Sequence, residues 1–427
     1  MMKKIMVIFN DTLNAYGGSH TLILRMCKWL RLNGIEACVF CTKVSNTEMT
    51  NFLKELGVLI ENVGNYSLYK VKRTIKKYIS GNREIKVINF TLDKWLDLEV
   101  VKKIYRYEIE NIIYDIHPET FHKGKAANFN FIKKYVKRTV CKLVKKISEN
   151  NAIVAMEELN ILSTRDFLNL DASQYCPKII RLPMVCNRKR NFDEIIEKGF
   201  DSNVIMSAAR ADFPFKGYLI GLIDDFVCLK KRYPSLKLLY VVAGPSLSVL
   251  MDKVKTLPSS ISKDISINNW LPYQKLLDEM QNCKIFVGMG TSVLDAALQY
   301  KPVLTAAYNT YENKTSGFFS DNPFILASSV DGAKEAFASL DTFFDEDYIH
   351  YRDRCIKNFD AVFMNYNIDK LMPELLSLET KKKYSLLTLK ESLIHVIHMC
   401  LNRFRYRNEL KMDYYAQNIG MNINKRL

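Results

Sequence analysis

The stretch VIMSAARADFPFKGY (204–218) leaves an apolar strand pattern directly at Arg210 and reaches Lys216-Gly217 six residues on, at the start of a helical pattern. Two cations, one at a strand end and one at the entrance of the next helix, can neutralise a diphosphate held between them. Either one alone is an ordinary loop residue. A second stretch, KIFVGMGTSVLDAALQYKPVL (284–304), runs from a strand at Ile285–Val287 through Gly288-Met289-Gly290-Thr291-Ser292 into another helix. Small residues there permit close backbone approach, and the helix N-terminus with its hydroxyls suits a phosphate. Asp295 lies one turn in, on the face of Thr291, where its two oxygens can accept both hydroxyls of a ribose. The same letters also read as a capping box, Ser292-Val293-Leu294-Asp295, with an acid that suits the helix dipole.

Outward from these stretches the chain alternates strands and helices twice over. The later set of strands falls at Val204–Ala208, Lys237–Ala243, Ile265–Ile267, Ile285–Val287 and Val303–Ala306. It follows a connection near Met184–Ser202. The earlier set falls at Lys4–Phe9, Glu36–Cys41, Val58–Glu61, Lys86–Asn89, Ile112–Ile116 and Ala152–Ala155, with a first helix at about Ser19–Leu32. Such alternation predicts two parallel sheets with helices on both faces. In series they leave a cleft lined by strand C-terminal ends, where open α/β sheets take their ligands. The first strand runs into FNDTLNAYGGSHTLIL (9–24), which puts Gly17-Gly18 at a helix mouth, as an anion-facing loop or a plain tight turn. The pattern points to a phosphorylated or nucleotide ligand without naming the chemistry.

In their order and spacing these pieces resemble bacterial glycosyltransferase family 4, retaining enzymes of GT-B fold. The likeness covers most of residues 3–375 and is sharpest over 204–305, through SAARADFPFKGYLIGLIDDFVCLKKRYPSLKLLYVVAGPS (207–246) and LPYQKLLDEMQNCKIFVGMGTSVLDAALQYKPVL (271–304). The resemblance implies two Rossmann-like domains facing an interdomain cleft. It places Gly17 and Gly18 under the donor diphosphate, and Arg210 and Lys216 as the cation pair that balances the leaving group. Asp295 stands where the family has the second Glu of its E-x7-E pattern, which holds the ribose. His117, in IIYDIHPET (112–120), matches the histidine that contacts the transferred sugar. Gly288, Gly290, Thr291 and Ser292 then belong to the donor loop. The first Glu of the pattern falls at Val287, which cannot bond a sugar hydroxyl; the G-M-G-x-S loop of some relatives stands here instead. Lys301 replaces the usual Gly before Pro302, a milder departure.

Charge distribution gives the acceptor side. The chain has 427 residues, 62 Lys+Arg against 46 Asp+Glu, and a net charge of +16. Residues 123–146 carry nine Lys/Arg and no acid, and residues 380–427 carry ten Lys/Arg against three acids, so the rest of the chain is neutral. The first patch reads as an amphipathic helix, with Phe129, Ile132, Val136, Val140, Leu143 and Ile147 on one side. Lys134, Lys137, Arg138, Lys142 and Lys145 lie on the other. The tail repeats the plan with Leu386, Leu389, Leu393, Ile397, Leu401 and Phe404, ending in Arg403, Arg405 and Arg407 of RFRYR. Basic amphipathic helices suit anionic lipid surfaces. The alternative is a helix packed on its own core with lysines outward.

Composition excludes several classes. Hydrophobic residues make up 48% and charged residues 25%, a globular balance, and 16 Gly with 11 Pro leave little for long linkers. No apolar run approaches the roughly 18–20 residues that span a bilayer; Leu219–Leu229 is broken by Asp224 and Asp225. MMKKIMVIFND (1–11) is too short in its apolar stretch for a secretory signal, which predicts a cytoplasmic protein. Ten cysteines lack zinc-type pairing, and Cys38 and Cys41 sit on opposite faces of a strand, as reduced thiols. Asp345–Asp347 reads as the start of a solvated helix rather than a metal site. His395 and His398 share a helix face with Glu391 but lack further zinc ligands. Neither a metal nor a cofactor is expected, the nucleotide-sugar being a substrate. No nucleic-acid-binding motif is present.

The sequence thus predicts an N-terminal Rossmann-like acceptor domain over 1–185 and a nucleotide-sugar domain over 200–345. Helices over 346–378 cross back to the first domain, and a basic amphipathic tail occupies 380–427. The resemblance and the charge together imply transfer from a nucleotide-sugar, UDP-sugar favoured, to a lipid-linked saccharide or other glycan. The setting would be the inner face of the plasma membrane, in capsule, exopolysaccharide or lipopolysaccharide synthesis. A catalytically silent partner that binds nucleotide or membrane is the rival from another class; nucleotide-sugar epimerisation is the rival chemistry.

Overall fold

Near-continuous apolar runs make the strands, as expected where both faces of a parallel sheet are covered by helices. A computed structural model of the chain describes residues 3–13, 18–44, 47–64, 67–79, 83–122, 130–269, 271–397 and 399. It divides into two units, one of Met1–Ile180 with Met372–Leu427 and one of Arg181–Leu371.

The first unit alternates β1 (Lys3–Leu13), α1 (Gly18–Leu32), β2 (Glu36–Val44), α2 (Thr47–Glu55), β3 (Leu59–Asn62), α3 (Leu68–Ile79) and β4 (Arg83–Asn89). It continues with α4 (Leu92–Tyr105), β5 (Glu110–Asp115), α5 (Asn130–Glu149), β6 (Ile153–Ala155), α6 (Glu158–Leu168) and β7 (Lys178–Ile179). The sheet order is β3-β2-β1-β4-β5-β6-β7, parallel throughout. Cys38 and Cys41 of β2 are both buried, and burial pushes each thiol up to about 12.

The apolar face of α5 is consumed by this unit's own core. Val140, Leu143, Val144 and Ile147 are buried with Trp95, Phe121 and Tyr175. This is the packed alternative of the two read from the sequence. Lys134, Arg138 and Lys142 face outward, while Lys137 and Lys145 are half-buried, Lys137 lying 5.3 Å from the Phe167 ring centre. Residues 123–129 at the head of the basic patch lie outside the described residues.

The second unit comprises α7 (Phe192–Phe200), β8 (Val204–Arg210), α8 (Tyr218–Leu229), β9 (Lys237–Ala243), α9 (Leu247–Lys255), α10 (Ser259–Ser262), β10 (Ile265–Asn268), α11 (Tyr273–Gln281) and β11 (Ile285–Gly288). There follow α12 (Thr291–Leu298), β12 (Val303–Ala306), β13 (Lys314–Phe318), β14 (Lys334–Glu335), α13 (Ala336–Phe344), α14 (Tyr348–Asn365) and α15 (Ile368–Ser377). Its order is β10-β9-β8-β11-β12-β13-β14, with β13 and β14 antiparallel. Asp347 caps α14, its carboxylate accepting the His350 N–H at 2.9 Å, which is the solvated helix start expected there. Lys301 is fully buried: its Nζ donates to the Ile195 carbonyl at 3.0 Å, and its own carbonyl accepts from Asn358 at 2.7 Å. Burial lowers its pKa. A Cβ at Gly199 would stand 2.3 Å from that Nζ, so Lys301 fills space that Gly199 leaves open.

From Met372 the chain belongs to the first unit again, and residues 378–397 form a strap across it. Lys381 N–H donates to the Asn150 carbonyl at 3.0 Å, and Ile109 N–H donates to the Lys383 carbonyl at 3.1 Å. Leu386 N–H donates at 2.6 Å to buried Glu99, whose carboxylate also takes Lys102 at 2.6 Å and Asn111 at 2.9 Å. Leu387 is buried in the core with Trp95 and Tyr175. Thr388 and Glu391 then form a capping box, bonding each other's N–H at 2.7 and 3.2 Å, and open a helix over 389–397. Glu391 pairs with Lys146 at 2.7 Å, and His395 bonds Asp97 at 2.8 Å. These bonds correct the reading of Glu391 and His395 as an outward polar face: they are the docked side. Leu389, Leu393 and Ile397 are left 76%, 60% and 50% exposed. His398, Leu401, Phe404, Arg403, Arg405 and Arg407 lie outside the described residues.

Candidate functional site

Arg210 is the last residue of β8 and pairs in register with Ala243. The chain turns there on two bonds, Ala211 N–H to the Ala243 carbonyl at 2.8 Å and Lys216 N–H to the Asp212 carbonyl at 2.8 Å. Ser246 Oγ accepts the Phe213 N–H at 3.2 Å. Gly244 has φ 141°, and a Cβ on it would lie 2.5 Å from the Ala211 carbonyl oxygen and 2.9 Å from Arg210 Cγ. Glycine is therefore required where the β9 end crosses the Arg210 turn.

The turn brings Arg210 and Lys216 into electrostatic contact. Burial pushes the Lys216 ammonium down to about 8, the Arg210 charge adds to that, and Asp212 opposes it. Asp212 accepts a hydrogen bond from the exposed Arg210 guanidinium. Two cations in electrostatic contact, one of them short of its usual basicity, favour an anion between them, and a bound diphosphate would raise the Lys216 pKa again.

β11 lies beside β8, and its C-terminal end supplies the second group. Gly290 is the N-cap of α12 with φ 72°, and its N–H donates to the Leu326 carbonyl at 2.7 Å. A Cβ on Gly290 would meet nothing within 4 Å, so the glycine serves the backbone angle. On Gly288 a Cβ would stand 2.5 Å from the Phe286 ring. Thr291 and Ser292 open the helix, half-buried, and Ser292 Oγ donates to the Met289 carbonyl at 3.1 Å. The capping-box reading of Ser292 and Asp295 is corrected: Gly290 caps the helix without a side-chain bond, and Asp295 Oδ1 instead accepts the Tyr273 hydroxyl at 2.7 Å. Val287 is fully buried and paired with Leu304, so the position of the missing acid faces the sheet's own core.

In the first unit, His117 follows the C-terminal end of β5 in a turn over 117–120. Thr120 N–H and hydroxyl both reach the His117 carbonyl, at 3.0 and 2.8 Å. His117 Nδ1 accepts the Glu119 N–H at 3.1 Å, which leaves Nε2 to carry the proton of the neutral ring. Desolvation lowers the pKa of His117, and the Glu119 carboxylate opposes the shift. Gly18 is the first residue of α1, after the C-terminal end of β1 in the same sheet; Gly17 lies outside the described residues. Sequence reasoning missed Tyr273, Gly244, Ser246 and Asp115. Of these only Gly244, in the AGPS that ends a strand, carried a signal. Among the described residues no three His, Cys, Asp or Glu side chains gather as metal ligands.

No sequence-family model and no curated protein sequence matches the chain. Solved structures do. HepE from Anabaena, in complex with UDP and glucose, is similar with a TM-score of 0.59 and 15% identity, over 88% of this chain and 99% of that one. A glycosyltransferase from Rickettsia africae gives 0.59 and 14%, over 88% and 97%. A point variant of S. aureus TarM, in complex with fondaparinux, α-GlcNAc-glycerol and UDP, gives 0.55 and 11%, over 88% and 99%. With two seven-stranded Rossmann-like units, the chain has the GT-B fold.

Proposed function

We propose that this protein is a retaining glycosyltransferase that moves a sugar from a nucleotide-sugar, a UDP-sugar in the favoured case, to a lipid-linked saccharide. The observation that carries the reading is the Arg210–Lys216 pair, one cation ending β8 and the other at the entrance of α8, in electrostatic contact. Asp295, steadied by Tyr273, would take the ribose, and the α12 N-terminus with Thr291 and Ser292 the phosphates. The nucleoside diphosphate leaves as Arg210 and Lys216 absorb its charge, on the face from which the acceptor attacks, so configuration is retained. His117, neutral with its proton on Nε2, would bond the sugar. HepE and TarM, solved with UDP, support the donor class.

The acceptor and place of work rest on the surface of the first unit. Exposed Lys134, Arg138 and Lys142, half-buried Lys137 and Lys145, and the basic 403–407 segment suit anionic headgroups, at about 1 kcal/mol per cation. The apolar stripe Leu389, Leu393 and Ile397 adds a face that a bilayer can cover. Among the described residues no helix is long and apolar enough to cross a membrane. This is the reading of a peripheral enzyme at the inner membrane face, working in capsule, exopolysaccharide or lipopolysaccharide assembly. Replacing the three stripe residues with Gln should lower sedimentation with phosphatidylglycerol vesicles; unchanged sedimentation refutes the stripe.

The test of function is transfer of radiolabelled sugar from UDP-, GDP- and TDP-sugars into solvent-extractable lipid, with purified protein, producer membranes and Arg210→Ala. Label from one donor, lost in the variant, is the expected result. Nucleotide binding with no transfer from any donor to lipid, glycan or soluble acceptors would point to a silent partner instead, the reading that Val287 favours.

A further inference from the structure

The C-terminal residue of β5 is Asp115, which is fully buried in the core of the first unit. A carboxyl group in that position is costly unless its oxygens are used. Part of its use is visible. The carboxyl accepts the His117 backbone N–H and lies against the Thr120 hydroxyl, while Oδ1 stands 3.2 Å from the Asn160 amide nitrogen. The Asp115 main-chain carbonyl takes the same Asn160 amide at 2.8 Å and the Met156 N–H at 3.0 Å. One side chain thus grips both ends of the turn that carries His117, much as an Asx turn does from a strand end.

The Asp115 carboxyl is enclosed on its other contacts by α6 and the segment after it: Asn160, Thr164 and Tyr175 are, like Asp115, wholly buried, and the Thr164 and Tyr175 hydroxyls bond each other. Asp115 Oδ2 and Asn160 Oδ1 keep unused accepting capacity. The charged or titratable groups that face the cluster are His117 and Glu119 in the turn, Tyr175, and Arg165, whose Nε donates to the Tyr175 carbonyl at 2.7 Å.

We propose that Asp115 is a positioning residue for His117: through its contacts with the His117 N–H, the Thr120 hydroxyl and the Asn160 amide it sets the orientation of the 117–120 turn and through it the imidazole. This rests on the reading of His117 as the residue that bonds the transferred sugar. Burial pushes the Asp115 carboxyl up to about 7, against the pull of Thr120, Asn160 and the His117 N–H. Its ionised form accepts the His117 N–H with a charge-assisted bond, and its protonated form gives only a neutral one. The hold on the turn therefore tightens as pH rises through about 7, above the lowered range in which His117 itself titrates.

The experiment is a pair of readouts on the full chain: histidine ring 1H–15N spectra from pH 5.5 to 8.5, and transfer kinetics. Wild type, Asp115→Asn and Thr120→Val are compared, and the His117 signals are assigned with His117→Gln. The wild type should show the Nε2–H tautomer and a shift step near pH 7, absent in Asp115→Asn. Asp115→Asn should lower kcat about tenfold with the donor KM nearly unchanged. Thr120→Val, which keeps the carboxyl, should retain the step with displaced His117 shifts. Ring signals of folded Asp115→Asn that superimpose on wild type at every pH overturn the proposal. Should that variant fail to fold, Thr120→Val signals identical to wild type overturn it equally. The step in a wild type that transfers no sugar would leave the positioning role standing and refute the function; transfer without the step would do the reverse.

Discussion

The two units share one strand order: β3-β2-β1-β4-β5-β6-β7 in the first is repeated as β10-β9-β8-β11-β12-β13-β14 in the second. Their chemistry is not shared. Where β8 ends in a cation, with Lys216 a turn away, the equivalent β1 runs through Asn10, Asp11 and Thr12 toward Gly18 with none. Where β5 ends in a buried acid under a histidine, the equivalent β12 ends in Ala306. One strand order therefore presents a cationic end in one unit and, at the equivalent positions of the other, ends that carry Asn10, Asp11 and Asp115. The fold supplies strand ends; the residues on them decide what each can do. The cores differ as well. The first unit buries Glu99 with Lys102 and Asn111, and Asp97 with Lys94 and His395, and draws part of that bonding from the 378–397 strap, whereas the second unit satisfies buried Lys301 on the Ile195 main-chain carbonyl.

The sharpest way to break that comparison is to remove the strap. A chain ending at Glu379 loses buried Leu387 and leaves Glu99 without the Leu386 N–H and Asp97 without His395. Denaturant unfolding of the first unit should weaken by about 3–5 kcal/mol, from the loss of buried Leu387 and of one hydrogen bond to each carboxylate, Lys102 and Asn111 still serving Glu99 and Lys94 still serving Asp97. The second unit should be unaffected, and a chain ending at Met399, which keeps Leu387, the Leu386 N–H and His395, should be the more stable of the two truncations. Equal stability of the two truncations would mean that the strap is ornamental.

A smaller effect tests the cation pair of the second unit. Lys216 has its pKa depressed to about 8, and a bound diphosphate favours its protonated form. UDP affinity should therefore be flat below pH 7 and fall above pH 8, by up to about tenfold per unit, with proton uptake on binding. Lys216→Met should bind more weakly and lose that pH dependence. The smallest effect concerns Tyr273. Tyr273→Phe removes the hydroxyl that Asp295 accepts at 2.7 Å and should weaken UDP by about threefold to tenfold, the worth of one hydrogen bond to a carboxylate.

Much of this was legible in the letters. Apolar runs bounded by turn residues located eleven of the fourteen strands among the described residues, because parallel strands buried on both faces announce themselves by composition. The three missed are the two-residue edge strands β7 (Lys178–Ile179) and β14 (Lys334–Glu335), and β13 (Lys314–Phe318), an antiparallel strand between β12 and β14 whose pairing rather than composition makes it a strand. The tail shows where periodicity misleads. Leu389, Leu393 and Ile397 do share a face, but the face that docks is Ser392, His395 and Met399, two of them polar and chosen by partners elsewhere in the chain. In the candidate site, Arg210, Lys216, Gly288 and Gly290 could be nominated from the letters because charge and glycine follow strand ends there. Tyr273 and Asp115 were not, since each matters only through a residue that folding brings to it, Asp295 for one and the His117 turn for the other.

The proposed function makes Arg210 and Lys216 the groups that hold the diphosphate and gives His117 no part in that hold. Calorimetric titration of UDP into wild type, Arg210→Ala and His117→Ala tests it most directly. The account predicts affinity reduced about a hundredfold in Arg210→Ala and kept within about twofold in His117→Ala. Unchanged affinity in Arg210→Ala, or an equal loss in His117→Ala, would contradict it.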